Sequence, residues 1–372
     1  MAQLLATRAD LLPPHVCTAL GRLHDAVEPD AQSAGPSPDL LKRSGLTIET
    51  DPDGVPRPIA TGSIASVYRA TDPTGRVVAV KVRRPGVEHE LTTDLELMRR
   101  VTRMAARLPP LRGMPAVEIV DQLTAAIRAQ LDFPREARHL EQLRANLATQ
   151  PRMHVPEVHT QLCSDDVLVM EFLDGLSRHT AASLPAADRE QAVLATLHSI
   201  YHMLFIDGLV HCDLHPGNVY FRADGTVALV DAGFTVRLTQ DAREKFAAFF
   251  MRMSYGHGEA CAQIVLSTTI PGPRANVDGF TRDLADLVHV SSGARAADFD
   301  LVRFAASLFI LQRRHGLYAD PQFIFPLLSL LVLEGTVRAH APKVDFQKEA
   351  EPYILDALFA RVFEAHGAPT GS

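Results

Sequence analysis

The segment His211-Cys-Asp-Leu-His-Pro-Gly-Asn218 sets an aspartate and an asparagine five residues apart, and thirteen residues after Asn218 comes Asp231 in Val-Asp-Ala-Gly. With a lysine, these are the parts of phosphoryl transfer, which asks a protein mainly for positioning and charge neutralisation. In that chemistry Asp213 takes or orients the acceptor's proton. Asn218 and Asp231 hold Mg²⁺. Lys81, in Val78-Ala79-Val80-Lys81, reaches the α and β phosphates. An aspartate between Val230 and Ala232 at the end of a buried strand is costly unless a cation or donors pair with it. A magnesium ion bridging nucleotide phosphates is such a partner.

Upstream, Ile59-Ala-Thr-Gly-Ser-Ile-Ala-Ser-Val-Tyr-Arg-Ala70 has the rhythm of a phosphate-binding loop. Alanines at 60 and 65 occupy two of the three glycine positions, and Gly62 remains. Lys81 lies fourteen residues beyond Val67, the span of a strand, a turn and a second strand. The nucleotide contacts expected here are Ala60, Gly62, Ser63 and Val67 from the loop, and Ala79 and Lys81 from the next strand. Val67 and Ala79 would face the adenine. Without a Cβ at Gly62, backbone N–H groups can approach phosphate closely. Gly62→Ala is therefore expected to matter more than Ala65→Gly.

Each element also has a plain structural reading: an exposed lysine ending a strand, a helix-capping Asp213, a turn Asn218, a strand-ending Asp231. Their order and spacing together favour the nucleotide site. A zinc site at His211 and His215 would need a third and fourth ligand at comparable spacing, which nothing nearby supplies cleanly, and histidine packing against the loop is the better reading.

The elements that must position these groups follow from the pattern. Apolar residues make up 47% and charged residues 22% of 372 residues, enough for two lobes with their own cores. A formal charge of −7 and the lack of tryptophan argue against a nucleic-acid partner. Four scattered cysteines form no C-x-x-C pair, which suits a reducing, cytoplasmic setting. The stretch MAQLLATRADLLPP lacks a charged flank leading into an apolar core, so no signal peptide is expected. The apolar run Phe323–Leu333 is interrupted by Pro326 and Ser329, and is shorter than the ~20 residues of a spanning helix.

Residues 1–27 read as helical and 28–39 as a loop. Strands are expected at 58–70 and 76–82 around a Thr-Asp-Pro-Thr-Gly turn, helices at 86–108 and 115–149, and strands at 154–158 and 166–172. From about 187 the chain is mostly helical, with Val193, Leu197, Ile200, Tyr201 and Leu204 on one buried face. A small hairpin, Val-Tyr-Phe and Val-Ala-Leu-Val around Arg-Ala-Asp-Gly-Thr, interrupts the helices, which run to about 363. The expected fold is α+β and bilobal around a cleft. It divides into a helical extension (1–45), a small β-containing N-lobe with a helical insert (46–174), a helical C-lobe (175–363) and a tail (364–372).

With HCDLHPGN, VDAG and VAVKVRRPGV in place, the chain resembles the UbiB/AarF family of atypical kinases. LDFPREA, LVMEFLDG, DGLVHCDLHPGN and LLSLLVLEGTVRAHAP follow in that family's order, and the likeness covers roughly residues 1–355. The resemblance implies a protein-kinase-like fold that binds ATP and Mg²⁺, in a family of kinases or ATPases often linked to quinone and isoprenoid-lipid metabolism. It makes Lys81 the nucleotide lysine, Glu136 its ion-pair partner, Met170 and Glu171 the hinge, Asp213 the catalytic-loop acid, and Asn218 with Asp231 the metal pair.

Departures from the family pattern sharpen the expectation. Of its K-x-G-Q motif only Gln3 matches; Ala2 stands for the glycine, and the lysine position would precede Met1. Its E-x-D motif reads Gln130-Leu131-Asp132, with Asp132 well placed to cap a helix before Phe133-Pro134. Both elements are thought to block peptide access, so a more open site is expected. Ala232 replaces the phenylalanine of D-F-G, and Cys212 replaces the arginine that pairs with a phosphorylated activation loop. After VDAGF the chain enters a helix almost directly, which favours a small-molecule or lipid acceptor, or hydrolysis alone. A protein kinase and a non-catalytic nucleotide-sensing scaffold are the rival readings. Residues 97–113 carry five arginines and no acid among apolar residues, a pattern for either peripheral membrane contact or a solvated helix face. Oligomeric state is not encoded in these patterns.

Overall fold

The computed structural model describes residues 45–105, 116–177, 179–292 and 300–366. The extension expected at 1–27, the loop at 28–39 and Gln3 with its neighbours lie outside the described residues, as does the second half of 97–113.

A five-stranded antiparallel sheet is built from β1 (Thr47–Ile48), β2 (Pro58–Thr61), β3 (Ala65–Thr71), β4 (Val77–Arg83) and β6 (Val167–Glu171). β3, β4 and β6 lie side by side, while β1 and β2 pair with successive parts of β3. The turn between β3 and β4 is closed by the Asp72 carboxylate. It accepts from the Thr74 and Arg76 N–H groups and the Thr74 hydroxyl, and Gly75 takes φ 87°.

Alternation along these strands gives the sheet two unlike faces. Val78, Val80, Val82, Val167 and Val169 point one way, with Leu46, Ile48, Tyr68 and Ala70, into a small separate core. Ala65, Ala79, Leu168 and Met170 point the other way, into the main core. Lys81 shares this second face with Ala79, because side chains two residues apart emerge on the same side. The β-branched run that makes the strand therefore also aims the lysine.

Three helices follow β4: α1 (Val87–Ala105), α2 (Ala116–Ala129) and α3 (Phe133–Asn146). The single helix expected at 115–149 is in fact two. Asp132 ends the first segment and caps the second, its Oδ1 accepting from the Arg135 N–H at 2.8 Å, with Pro134 in the first turn. The strand expected at 154–158 is only β5 (Met153–His154), and it pairs in parallel with β9 of the C-lobe rather than joining the large sheet.

The C-lobe begins with a short helix α4 (Thr180–Ser183) and α5 (Ala186–Tyr201), which continues as a π-turn over His202–Asp207. The five residues expected on its buried face are each 1% exposed or less. Gly208 stops the helix at φ 75°, where a Cβ would stand 3.0 Å from the Leu238 carbonyl oxygen. Four short strands follow: β7 (Leu209–His211), β8 (Val219–Phe221), β9 (Val227–Leu229) and β10 (Thr235–Arg237). β8 and β9 form the expected hairpin, while β7 pairs with β10. The remainder comprises α6 (Gln240–Ser254), α7 (Gly258–Leu266), β11 (Thr269–Pro271), α8 (Val277–Ser292), α9 (Leu301–Arg314), β12 (Leu317–Ala319), α10 (Pro321–His340) and α11 (Phe346–His366). The sequence pattern missed the β11–β12 pair, whose strands are three residues each.

Among the described residues one helical stretch, Gln322–His340, is long and apolar enough to cross a membrane by length and composition. It exceeds the interrupted run read from the sequence. In the fold it belongs to α10, and half of it is buried against the rest of the lobe.

Candidate active site

A cleft of about 530 Å³ lies between the large sheet and the catalytic-loop region. That is ample for a nucleotide-sized ligand. Ala60, Gly62, Ser63, Val67, Ala79, Lys81, Met170, Glu171, Asp213, Asn218 and Asp231 all line it. Glu136 does not; it lies behind Lys81, its side chain 1% exposed. The candidate residues, 171 positions apart at the extremes, thus gather around a single cavity.

At one end Lys81 Nζ donates to Glu136 Oε1 at 2.7 Å and to Asp231 Oδ2 at 2.6 Å, and lies 5.5 Å from the centre of the Phe133 ring. Each element has a local reason to be there. β4 projects Lys81 into the cleft. Glu136 belongs to the buried stripe Phe133, Glu136, Ala137, Leu140 and Leu143 of α3. Asp231 follows β9, and its Oδ1 accepts from the Gly233 N–H at 2.9 Å.

Burial alone would strip the proton from Lys81, but the two carboxylates outweigh it and hold the ammonium charged. Burial would also raise Asp231, yet the Lys81 charge and hydrogen bond bring it down to about 2. Glu136 goes the other way: burial, then the neighbouring Asp231 charge, push it up to about 7. One of its oxygens, Oε2, is buried with no hydrogen-bond partner. Gly233 leaves room here, since a Cβ would stand 3.3 Å from Asp231 Oδ1 and 3.4 Å from Glu136 Oε2.

At the other end the Asn218 amide donates to the Asp213 backbone oxygen at 2.9 Å and to Asp213 Oδ2 at 3.3 Å. Burial would raise Asp213, but the His215 hydrogen bond and charge outweigh it and hold the carboxyl below its usual range. His211 joins the two ends. Its Nδ1 accepts from the Asp213 N–H at 3.2 Å, and its Nε2 donates to the Asp231 carbonyl at 2.6 Å. Both ring nitrogens are thereby engaged, and burial lowers the ring toward the neutral form. Ser329 of α10 donates to the His211 carbonyl oxygen at 2.7 Å.

The loop over the cleft departs from the sequence expectation. The Gly62 N–H donates to the Ala65 carbonyl at 2.8 Å, closing the turn between β2 and β3. A Cβ at Gly62 would meet only that oxygen, at 3.5 Å, an ordinary contact. The loop spends this N–H on its own turn, so the absence of a Cβ opens no phosphate cradle in this conformation.

Asn218 and Asp231 fit a magnesium ion that takes its other ligands from phosphate and water. Asn218 places both amide hydrogens toward Asp213, leaving its carbonyl oxygen without a donor among the described residues. Both groups offer hard oxygen ligands from the same open end of the β8–β9 hairpin, where the Val230 N–H donates to the Asn218 backbone carbonyl at 3.0 Å.

Sequence reasoning missed several contributors. For His211 the sequence favoured packing against the loop over a metal site, without showing its two hydrogen bonds. Gly233 and Ser329 carried no signal, since their roles depend on contacts far apart in the chain. Gln130, singled out as a departure from the family pattern, lines the cleft. The buried Phe234, not residue 232, is this loop's aromatic; it meets Phe325 edge-on at 5.1 Å between ring centres. Ala232 is fully buried.

A strand-borne lysine clasped by a helical glutamate and by Asp231, across a cleft from the Asp213–Asn218 loop, is the arrangement of a protein-kinase-like fold. Residues 55–265, more than half the chain, match the ABC1 atypical kinase-like domain, and the chain belongs to that family. It is 31% identical to the probable protein kinase UbiB of Aeromonas hydrophila, over 97% of this chain and 67% of that protein. It is 33% identical to the uncharacterized protein slr0889 of Synechocystis, over 74% of this chain and 71% of that one. The chain spans about two thirds of the length of the UbiB relatives it matches. In fold it is similar to Rv3197 of Mycobacterium tuberculosis in its erythromycin complex, with TM-score 0.58 and 18% identity, over 95% of this chain and 91% of that one.

Proposed function

We propose that the cleft binds Mg-ATP and that the protein is an atypical kinase or ATPase acting on a small molecule or an isoprenoid-type lipid. The observation that carries this reading is the double clasp on Lys81, by Glu136 at 2.7 Å and Asp231 at 2.6 Å inside a nucleotide-sized cleft.

The residues would divide the work as follows. Lys81 stays charged and offers its ammonium to the α and β phosphates, while Glu136 keeps it from swinging away. Asn218 and Asp231 would hold Mg²⁺, which supplies neutralisation of the developing phosphate charge. Asp213, ionised and hydrogen-bonded to the Asn218 amide, orients the acceptor hydroxyl or water and takes up its proton. Val67 and Ala79 flank the base, with Met170 and Glu171 at its edge. His211 keeps the catalytic and metal loops in register through its two hydrogen bonds.

The acceptor class follows from the short path between Asp231 and α6. Only β10, Leu238 and Thr239, whose hydroxyl caps α6, intervene after Phe234, which leaves little chain to lay a peptide across the site. Peripheral contact with an anionic membrane is supported by Leu97, Val101 and Met104, which are 59%, 55% and 70% exposed on α1 beside Arg100. A protein kinase is the second reading, favoured by the neutral Gln130 amide on the cleft wall where the family pattern has a glutamate.

The test is Mg-dependent ATP hydrolysis by the wild type and Asp231→Asn, with and without phenolic isoprenoid precursors. Hydrolysis lost in the variant and stimulated by the precursors supports the proposal. Radiolabel transfer to peptides instead selects the second reading, and neither binding nor hydrolysis of ATP by the wild type defeats both.

A further inference from the structure

The seam between α3 and β10 gathers positive charge without a counterion. Arg135, His139 and Gln142 lie at i, i+4 and i+7 on one face of α3, and Arg138 stands about one turn from Arg135. Opposite them, Thr235 and Arg237 emerge on the same side of β10, as side chains two residues apart in a strand do. The Arg135 guanidinium donates to the Thr235 carbonyl at 3.3 Å, and Arg237 donates to Gln142 Oε1 at 2.5 Å. The Thr235 hydroxyl and His139 Nδ1 share a hydrogen bond of 2.5 Å. Neutral partners thus fix two of the three arginines. Among the described residues no carboxylate pairs with Arg135, Arg138 or Arg237, and Arg138 makes no hydrogen bond at all.

Burial, then the charges of Arg135, Arg237 and Arg138, hold the His139 ring down at about 4, so the ring is neutral and adds no fourth charge. Asp132 opposes them only weakly, and its Oδ1 is engaged in capping α3 through the Arg135 N–H. Like charges a turn apart on a helix are mutually destabilising, so a fold that gathers three of them is stabilised when an anion enters. Arg138 and Arg237 are exposed, which opens the seam to a solute. All three charges are arginines, whose planar forks take oxyanions two oxygens at a time. A carboxylate would offset one of the three charges. A phosphate dianion offsets two and presents three oxygens to separate donors.

We infer that the α3–β10 seam is a binding site for a phosphate dianion, free or as a monoester, held by Arg135, Arg138 and Arg237. None of the seam residues lines the nucleotide cleft, and the binding does not depend on the reading given to that cleft. The position nonetheless bears on the cleft. Glu136 follows Arg135 on α3, and Asp231 leads through Phe234 into β10, so the seam joins the segments that carry both partners of Lys81. An anion bridging the seam therefore ties those segments together from outside the cleft.

The experiment is thermal melting and calorimetric titration of the full chain with sodium phosphate, against sodium chloride at the same ionic strength. A second arm measures flotation with phosphatidylcholine vesicles, with and without phosphatidate, whose head is a phosphate monoester. Phosphate should bind saturably and raise the melting temperature where chloride does not. Arg138→Gln and Arg237→Gln should each weaken binding about tenfold, and Arg138→Lys, which keeps the charge but loses the fork, about threefold. Without phosphate, Arg138→Gln should melt at the wild-type temperature or above, because it removes a like charge and breaks no hydrogen bond. An arginine with only a structural role would lower it. Arginine-dependent binding of phosphate assigns the site to a soluble ligand, and arginine-dependent binding of phosphatidate vesicles alone assigns it to a lipid headgroup. The inference is overturned if neither source binds, if chloride reproduces the shift, or if both glutamine variants bind as the wild type does. Displacement of phosphate by a non-hydrolysable ATP analogue with Mg²⁺ would place the anion in the cleft and equally overturn it. Since none of these readings requires turnover, failure to bind or hydrolyse ATP leaves the inference standing.

Discussion

The two ends of the cleft are built on different principles. At the lysine end three charges interlock: the Lys81 and Glu136 side chains are 13% and 1% exposed, while Asp231, at 28%, opens onto the cleft. At the catalytic-loop end, Asp213 is 21% and His215 44% exposed, and the polar groups are tied by hydrogen bonds within one loop. A buried ion pair is costly to break because the orphaned charge stays buried. An open, hydrogen-bonded carboxylate can exchange protons and meet a substrate. The first end suits holding phosphate, and the second suits proton handling. The His211 side chain touches both, through the Asp213 N–H and the Asp231 carbonyl.

Substitutions can separate the two ends. Asp231→Asn attacks both the cation site and the Lys81 clasp, so turnover should fall by about 10³-fold or more, with Mg-dependent nucleotide affinity falling alongside. Asp213→Asn should lower turnover by roughly 10²–10⁴-fold, yet leave nucleotide affinity within about threefold of wild type. Equal losses of affinity in the two variants would erase the distinction between the ends.

Glu136→Gln should reduce turnover by about tenfold, since an amide still accepts from Lys81 but carries no charge. It also has a signature in stability. The folded-state value of Glu136, about 7, lies above its ordinary 4.5, so the folded protein holds that proton more tightly than the unfolded chain. Between those pH values Glu136 therefore costs stability as pH rises. Asp231, held at about 2, is lowered, so its contribution is present above its ordinary 3.8 and is lost only as pH falls toward 2. Thermal melts should show wild type losing stability relative to Glu136→Gln from pH 5 to pH 7.5. Parallel curves would show that Glu136 does not carry the raised value.

The smallest effect is expected at the loop. Gly62→Ala should change nucleotide affinity by less than about twofold, because its N–H is spent on Ala65 and an added methyl meets only an ordinary contact. This reverses the expectation drawn from the sequence. A clear loss in Gly62→Ala alone would show that the turn opens to receive phosphate.

Much of the cleft was legible because its chemistry is local in sequence. Asp213 and Asn218 share one loop, and strand alternation places Lys81 and Ala79 on one face. Glu136 was reached only through family resemblance, since a glutamate in a helix looks like any solvated residue until its stripe is seen to be buried. The break at Asp132 was visible as a cap signal but was not allowed to divide the helix. Short strands such as β5 and β11 lack the length for alternation to show, and their partners lie far along the chain. The Gly62 N–H bond depends on how a turn closes, which residue type alone does not dictate.

The most direct test of the central claim is calorimetric binding of a non-hydrolysable ATP analogue, with and without Mg²⁺, to wild type and Asp231→Asn. The site described here predicts binding to the wild type that tightens at least tenfold on adding Mg²⁺, and loss of that increment in Asp231→Asn. Binding that ignores Mg²⁺, or an increment that survives in Asp231→Asn, would contradict the assignment of the cleft as a Mg-nucleotide site.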